Sequence, residues 1–269
     1  MSTINLFAFY FLLIIPLQGF RYVHCFNSKG IQTSKETLYA KYEVISTLLK
    51  EPRNTTVIAL GELYGNNEKV FFKWNYATDE SIPIPEGTGY MTFPPGFVDK
   101  TGNYIITDFT KDSLEQREVI FGYYIQTTEP IPPIQWQIHK ERKTISGMPV
   151  IRATSLFRGR NYTAWFTPQI PVKYGPWKFH GLPGLIVEVY DRQNEFIYRL
   201  KEVNYPSTRS IPKIPESKDQ VVSWEDFKTI GEKIRQKVYR QNVANNSHNG
   251  ANTKIEVYEQ NRQEVFEGP

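Results

Sequence analysis

Apolar side chains recur at every second position through most of this sequence, the spacing of a strand with one buried face. In the first such stretch Leu38, Ala40, Tyr42 and Val44 alternate with Tyr39, Lys41, Glu43 and Ile45. Residues 55–64 and 69–75 continue the pattern on either side of Gly65-Asn66-Asn67, a hairpin turn. Strands are expected at 104–109 and 117–129, the second built on Val119, Phe121, Tyr123 and Ile125. Beyond Pro130, Pro132 and Pro133, the shared face of Ile134, Trp136 and Ile138 marks another. Ser146-Gly147 turns the chain, and residues 150–157 and 162–166 form a hairpin across Arg158-Gly159-Arg160-Asn161. Residues 185–190 and 195–203, joined by Asp191-Arg192-Gln193-Asn194, complete the series.

The period changes to that of a helix only once. Phe227, Ile230, Ile234 and Val238 make an apolar stripe, with Lys228, Glu232, Arg235 and Lys237 off it. Ser223 is the expected N-cap, Glu225 and Asp226 suit the first turn, and the helix should end near Gln241. Residues 78–102, rich in Pro and Gly, read as a long loop, and 206–217 as a linker. Ile255, Val257 and Val265 belong to a last short strand or a tail. The expected fold is therefore mainly β: a curved antiparallel sheet or barrel-like sandwich of ten or so strands, with one helix packed on it. It forms a single domain over residues 26–269, with 26–35 and 242–269 partly flexible.

Between the strands ending at Phe166 and starting at Leu185 lies a stretch that is neither strand nor helix. Pro168, Pro171, Pro176 and Pro183 exclude a helix, and Trp165, Tyr174, Trp177 and Phe179 crowd it with rings. Pro183-Gly184 suits the centre of a type II turn, with glycine taking φ > 0, and Gly181 is a second permissive point. Leu185, Val187 and Val189 should then share a buried face, opposite Ile186, Glu188 and Tyr190. An aromatic loop of this length either plugs the end of a β core or lines a ligand or partner site.

The hexapeptide Gly181-Leu182-Pro183-Gly184-Leu185-Ile186, with Gly175-Pro176-Trp177-Lys178-Phe179 ahead of it, resembles the signature of the GLPGLI family. The likeness extends through Trp136, Gly159-Arg160 and Trp165-Phe166-Thr167-Pro168. It covers roughly residues 35–265 and is strongest over 136–203. The family consists of secreted proteins, known mainly from Bacteroidetes, with no established activity. The resemblance thus implies export, and no reaction.

Composition agrees with export. Residues 6–17 are an unbroken apolar run of h-region length, shorter than the ~18 residues of a membrane span. Residues 1–25 read as a signal peptide, although no Lys or Arg precedes the run. Cleavage after Cys25 leaves no cysteine, since the chain has one; the alternative makes Cys25 a lipidated first residue. The expected location is the periplasm or the outer-membrane periphery. The formal net charge of +4 is spread among 28 acids, and no basic cluster with interleaved aromatics points to nucleic acid.

The chemistry is sparse. There is no nucleophile elbow, His-Glu-x-x-His, Walker loop or Cys-x-x-Cys, and His24, His139, His180 and His248 stand far apart, so no metal or cofactor is expected. His180 is a candidate acid/base with Glu188 or Asp191; its plainer role is a backbone hydrogen bond. Arg158 and Arg160 could meet an anion or occupy a solvated hairpin tip, and Lys178 should snorkel between its aromatic neighbours. The leading expectation is a non-enzymatic envelope protein that binds a hydrophobic ligand or an envelope protein through Trp165, Tyr174, Trp177, Phe179 and His180. Peripheral membrane association is compatible with it. The alternatives are an envelope hydrolase using His180, and a purely structural protein.

Overall fold

In a computed structural model, residues 37–48, 55–76, 89–90, 101–120, 122–213 and 219–248 are described. All lie within the compact unit Lys35–Pro269. The leader, Cys25, most of 78–102 and the strand or tail around Ile255 fall outside the described residues. Among the described residues there are thirteen strands: β1 (Thr37–Leu48), β2 (Thr55–Gly65), β3 (Lys69–Tyr76), β4 (Gly89–Tyr90), β5 (Asn103–Asp108), β6 (Ser113–Ile120), β7 (Tyr123–Pro130), β8 (Gln137–Ile145), β9 (Met148–Phe157), β10 (Arg160–Thr167), β11 (Leu185–Asp191), β12 (Phe196–Ser207) and β13 (Gln220–Ser223). One helix follows, α1 (Trp224–His248).

They form one sheet in the order β13-β7-β6-β5-β3-β2-β1-β12-β11-β10-β9-β8, with β4 attached to β2. Among the described residues this sheet does not close. Pairing is antiparallel throughout, except that β13 runs parallel to β7 and β4 parallel to β2. The alternation seen in the sequence is what buries one face. Leu38, Ala40, Tyr42 and Val44 of β1 join Leu63 of β2, Phe72 of β3, Ile105 of β5, Phe157 of β9 and Tyr198 of β12 in one core cluster. A second, small cluster of Phe71, Tyr104 and Ile106 lies on alternate positions of the same strands.

Several boundaries differ from the pattern. The run 117–129 is two strands, because Gly122 at φ +81° turns the chain and the alternation carries across the break. Ile134 and Trp136 precede β8 as irregular chain packed on the core, held out of a strand by the prolines before them. β12 runs on to Ser207, two residues into the stretch read as a linker, and the short β13 follows that stretch. The hairpin residues Ser146-Gly147 and Arg158-Gly159 all have positive φ, as a two-residue turn between twisted strands requires.

The helix forms where its stripe places it. The Ser223 hydroxyl accepts from Asp226 N–H (3.0 Å), capping the first turn. Phe227 is buried against Ile120 and Ile125, with Trp224, Ile230 and Ile234 packed around them, so α1 covers β6 and β7. It extends beyond Gln241 to His248.

Candidate functional site

The loop joining β10 to β11, residues 168–184, folds into the core. Val172, Tyr174, Trp177, Phe179 and Leu182 belong to the main cluster, alongside side chains from β1, β2, β3, β9, β10, β11 and β12. Trp177 is only 4% exposed and Phe179 1%. The Phe179 ring lies 4.8 Å from Tyr162 and 5.0 Å from Trp177, both edge-on, and Trp177 meets Phe157 at 5.8 Å. Trp177 holds φ +53°, which a bulky side chain adopts only where packing fixes it. Burial pushes the Tyr174 hydroxyl above its ordinary pKa. These residues leave no contact surface for a partner. Trp165 packs against this cluster from outside it: it alternates with the buried Ala164 and Phe166 of β10, is half-buried, and has Lys143 Nζ 4.1 Å above its ring.

The loop is held by its backbone. Gly175 N–H donates to Phe179 O, Gly181 N–H to Lys173 O and Leu185 N–H to Ile170 O. At the hexapeptide, Gly184 N–H donates to Leu182 O (2.9 Å), closing three residues around Pro183 rather than the four of a type II turn. Gly181 has φ +92°. Gly184 has the positive φ expected of it, +158°, and is required for a second reason: a Cβ there would stand 2.2 Å from the carbonyl oxygen of Thr167. The one-sided burial expected of β11 holds for Leu185, Val187 and Val189 against Glu188 and Tyr190 and breaks only at Ile186. Opposite Trp165 and Phe166 the register slips by one residue, and Ile186 is as buried as its neighbours because Gly175 packs directly on it.

Lys178 does not snorkel to solvent. Its side chain is fully buried and its Nζ donates to Glu129 Oε1 of β7 (3.0 Å). Glu129 also accepts from Arg158 (2.5 Å), and both cations lie over the ring of Trp224, at 4.3 and 4.7 Å. β7 is second in the sheet order and the β9–β10 hairpin near its other end. The sheet therefore curls until its distant parts meet on one carboxylate. Arg160, the other candidate anion ligand, pairs with Asp191 (2.9 Å) and Glu195 (2.5 Å). Both arginines are thus tied into the fold and neither forms a free hairpin tip.

His180 is half-buried, and burial holds its imidazole below its ordinary pKa. Its Nε2–H donates to Pro132 O (2.9 Å), its own carbonyl accepts from Trp136 Nε1 (2.8 Å), and its ring meets Phe109 edge-on at 6.2 Å. Neither candidate carboxylate is bonded to it. Glu188 lies on the outer face of β11, paired with Lys143 and Arg199 at 3.3 Å each. Asp191, fully buried, accepts from Arg160 and from Phe196 N–H. Strand alternation and the hairpin turn carry both acids away from the loop. Among the described residues no group of three His, Cys, Asp or Glu side chains could hold a metal ion.

An open feature lies on the other face of the sheet. Arg152, Thr154 and Leu156 of β9, Thr163 of β10 and Tyr190 of β11 point outward together. With Gln137 of β8, and Asn161 and Arg192 at the strand ends, they line a groove of about 560 Å3. Among the described residues no Asp, Glu, His or Cys lines it, and His139 Nε2 lies 2.7 Å from the lining Thr154 hydroxyl. Sequence reading missed it, because polar alternate positions also describe an ordinary solvated face.

A family model described as a protein of unknown function (Porph_ging) matches residues 155–188, from the end of β9 through the loop into β11. No curated protein matches the chain. Two solved structures, described as PNGF-II in P21 and in C2 space groups, are similar at TM-score 0.46 each, with 14% and 12% identity. The likeness covers 74% of this chain and 34% and 33% of theirs, so the chain spans about a third of their length.

Proposed function

We propose that this chain is an exported, non-enzymatic binding protein of the cell envelope, and that its ligand sits in the outer groove of β8–β11. What carries the reading is the contrast between the two places where a ligand could lie. The aromatic loop is core, and Trp177 and Phe179 have almost no surface to give a partner. The groove is open, and its volume falls within the roughly 300–1,000 Å3 of ligand sites. Among the described residues its lining holds no carboxylate or thiol to act as a general base, and the one imidazole against it, His139, is hydrogen-bonded to the Thr154 hydroxyl (2.7 Å). The polar lining also moves the expected ligand from hydrophobic to hydrophilic. Export is supported by the apolar run 6–17 and by the likeness to a secreted family.

The test is co-purification from native envelope, with mass spectrometry of bound glycan, lipid and protein. Wild type is compared with Thr163→Arg, which fills the groove, after circular dichroism shows both are folded. A small molecule retained by wild type and lost from the variant is the expected result. Retention by both places the ligand elsewhere, and turnover of the retained molecule replaces binding by catalysis.

A further inference from the structure

We propose that the groove takes an acidic oligosaccharide, a short sugar chain bearing carboxylates, with Arg192 pairing a carboxylate and Tyr190 flanking a sugar ring. This rests on the reading of the groove as the ligand site and names the ligand's class.

The argument begins with charge. Two guanidiniums line the groove, and no acid does, among the described residues. Arg152 is already engaged, donating to the exposed Glu141 (2.9 Å) at the rim. The side chain of Arg192 is exposed and has no ion or hydrogen-bond partner among the described residues. A guanidinium offers donors only and matches a carboxylate with two parallel bonds, so an anionic group is its natural complement.

The neutral lining selects among anions. Gln137, Asn161 and Thr163 carry amides or a hydroxyl, which both donate and accept, as the hydroxyls of a sugar do. Tyr190, half-buried in the lining, adds an aromatic surface with a polar tip. A peptide fits less well. The groove lies on the sheet face, where the backbone bonds of β9, β10 and β11 are spent on one another, and β8, the last strand of the order, has its open edge on the side away from β9, so a peptide lying in the groove finds no main chain to pair with. Leu156 is the one aliphatic side chain in the lining, too little to anchor a lipid or an apolar peptide. A single unengaged cation is also a poor match for a nucleic-acid backbone.

Titration calorimetry tests the inference with defined probes. Oligosaccharides of galacturonate, glucuronate and sialic acid are each paired with the methyl-esterified, neutral form of the same chain. At least one acidic member should bind wild type roughly tenfold or more tightly than its ester, and Arg192→Met should remove that preference. Tyr190→Ala should weaken acid and ester alike, with the circular dichroism spectrum of both variants unchanged. Equal binding of acid and ester, indifferent to Arg192→Met but lost in Thr163→Arg, overturns the acidic ligand and leaves the groove standing. No binding by any member overturns the acidic saccharide; if native co-purification then also fails to distinguish wild type from Thr163→Arg, the groove falls with it.

Discussion

A Cβ at position 184 would meet backbone, the Thr167 carbonyl at 2.2 Å and Pro168 Cα at 3.0 Å, and backbone cannot swing aside as a side-chain tip does. Gly184→Ala should therefore cost about 2 kcal/mol or more, beyond the ~1 kcal/mol of an ordinary glycine-to-alanine change. Gly184→Asn should cost as much, since the obstacle is steric and not a left-handed φ that asparagine tolerates. Urea melts decide it, and wild-type stability in the alanine variant would mean that the Thr167–Pro168 segment yields. His180 makes a different prediction. Burial lowers its folded pKa while the unfolded value stays near 6.5, so as pH falls the unfolded chain takes the proton first. Its contribution is whole above about pH 6.5, shrinks as pH falls towards the folded value, and changes no further below that. His180→Gln, which can still donate to Pro132 O, should flatten that part of the curve of urea midpoint against pH. An unchanged slope would assign the loss to other groups. Asp108 is not one of them in this window: Thr110 and Lys69 hold its carboxyl down to about 2, so its share persists until much lower pH.

At the scale of elements, α1 is joined to the sheet by two kinds of contact. Phe227 is buried against Ile120 and Ile125, while Trp224 stacks on Phe227 and lies under Arg158 and Lys178. Cation–π contacts with desolvated cations contribute about 2 kcal/mol, so Trp224 is expected to hold the helix start as firmly as the apolar stripe holds its middle. Trp224→Ala should speed amide hydrogen exchange over 224–240 while leaving β9 to β12 protected, because local opening follows local contacts. Equal acceleration in α1 and in the β10–β11 region would instead make helix and sheet one cooperative unit.

Over the whole molecule, Glu129 is where the curl of the sheet is fastened. It accepts from Lys178 of the loop and Arg158 of the β9–β10 hairpin, from a strand near the opposite end of the sheet order. Breaking a buried pair from one side leaves a charge stranded, which costs about 3–5 kcal/mol. Glu129→Gln strands two cations side by side and should fall at or above the top of that range. Lys178→Met leaves Glu129 its partner Arg158 and should cost less. The double variant should be no less stable than Glu129→Gln alone, since the stranded lysine is gone. Chemical denaturation of the three variants tests the order, and equal, additive losses would show that the three groups do not act as one cluster.

The sequence alone determined what depends on neighbours along the chain. Alternation set most strands and their buried faces, the stripe from Phe227 to Ile234 set the helix, Ser223 its cap, and Ser146-Gly147 and Arg158-Gly159 their turns. Prolines and rings marked the loop as neither strand nor helix, and its spelling carried the family likeness. Tertiary structure decided whatever depends on residues distant in sequence. Only the curl of the sheet turns Trp177 and Phe179 inward and brings Glu129 to Lys178 and Arg158. The groove follows the same rule: Arg152, Thr163 and Tyr190 are ordinary outward positions on three strands, and they become a site only when those strands lie side by side. Period and turn chemistry are local properties of a chain; burial and convergence belong to the folded whole.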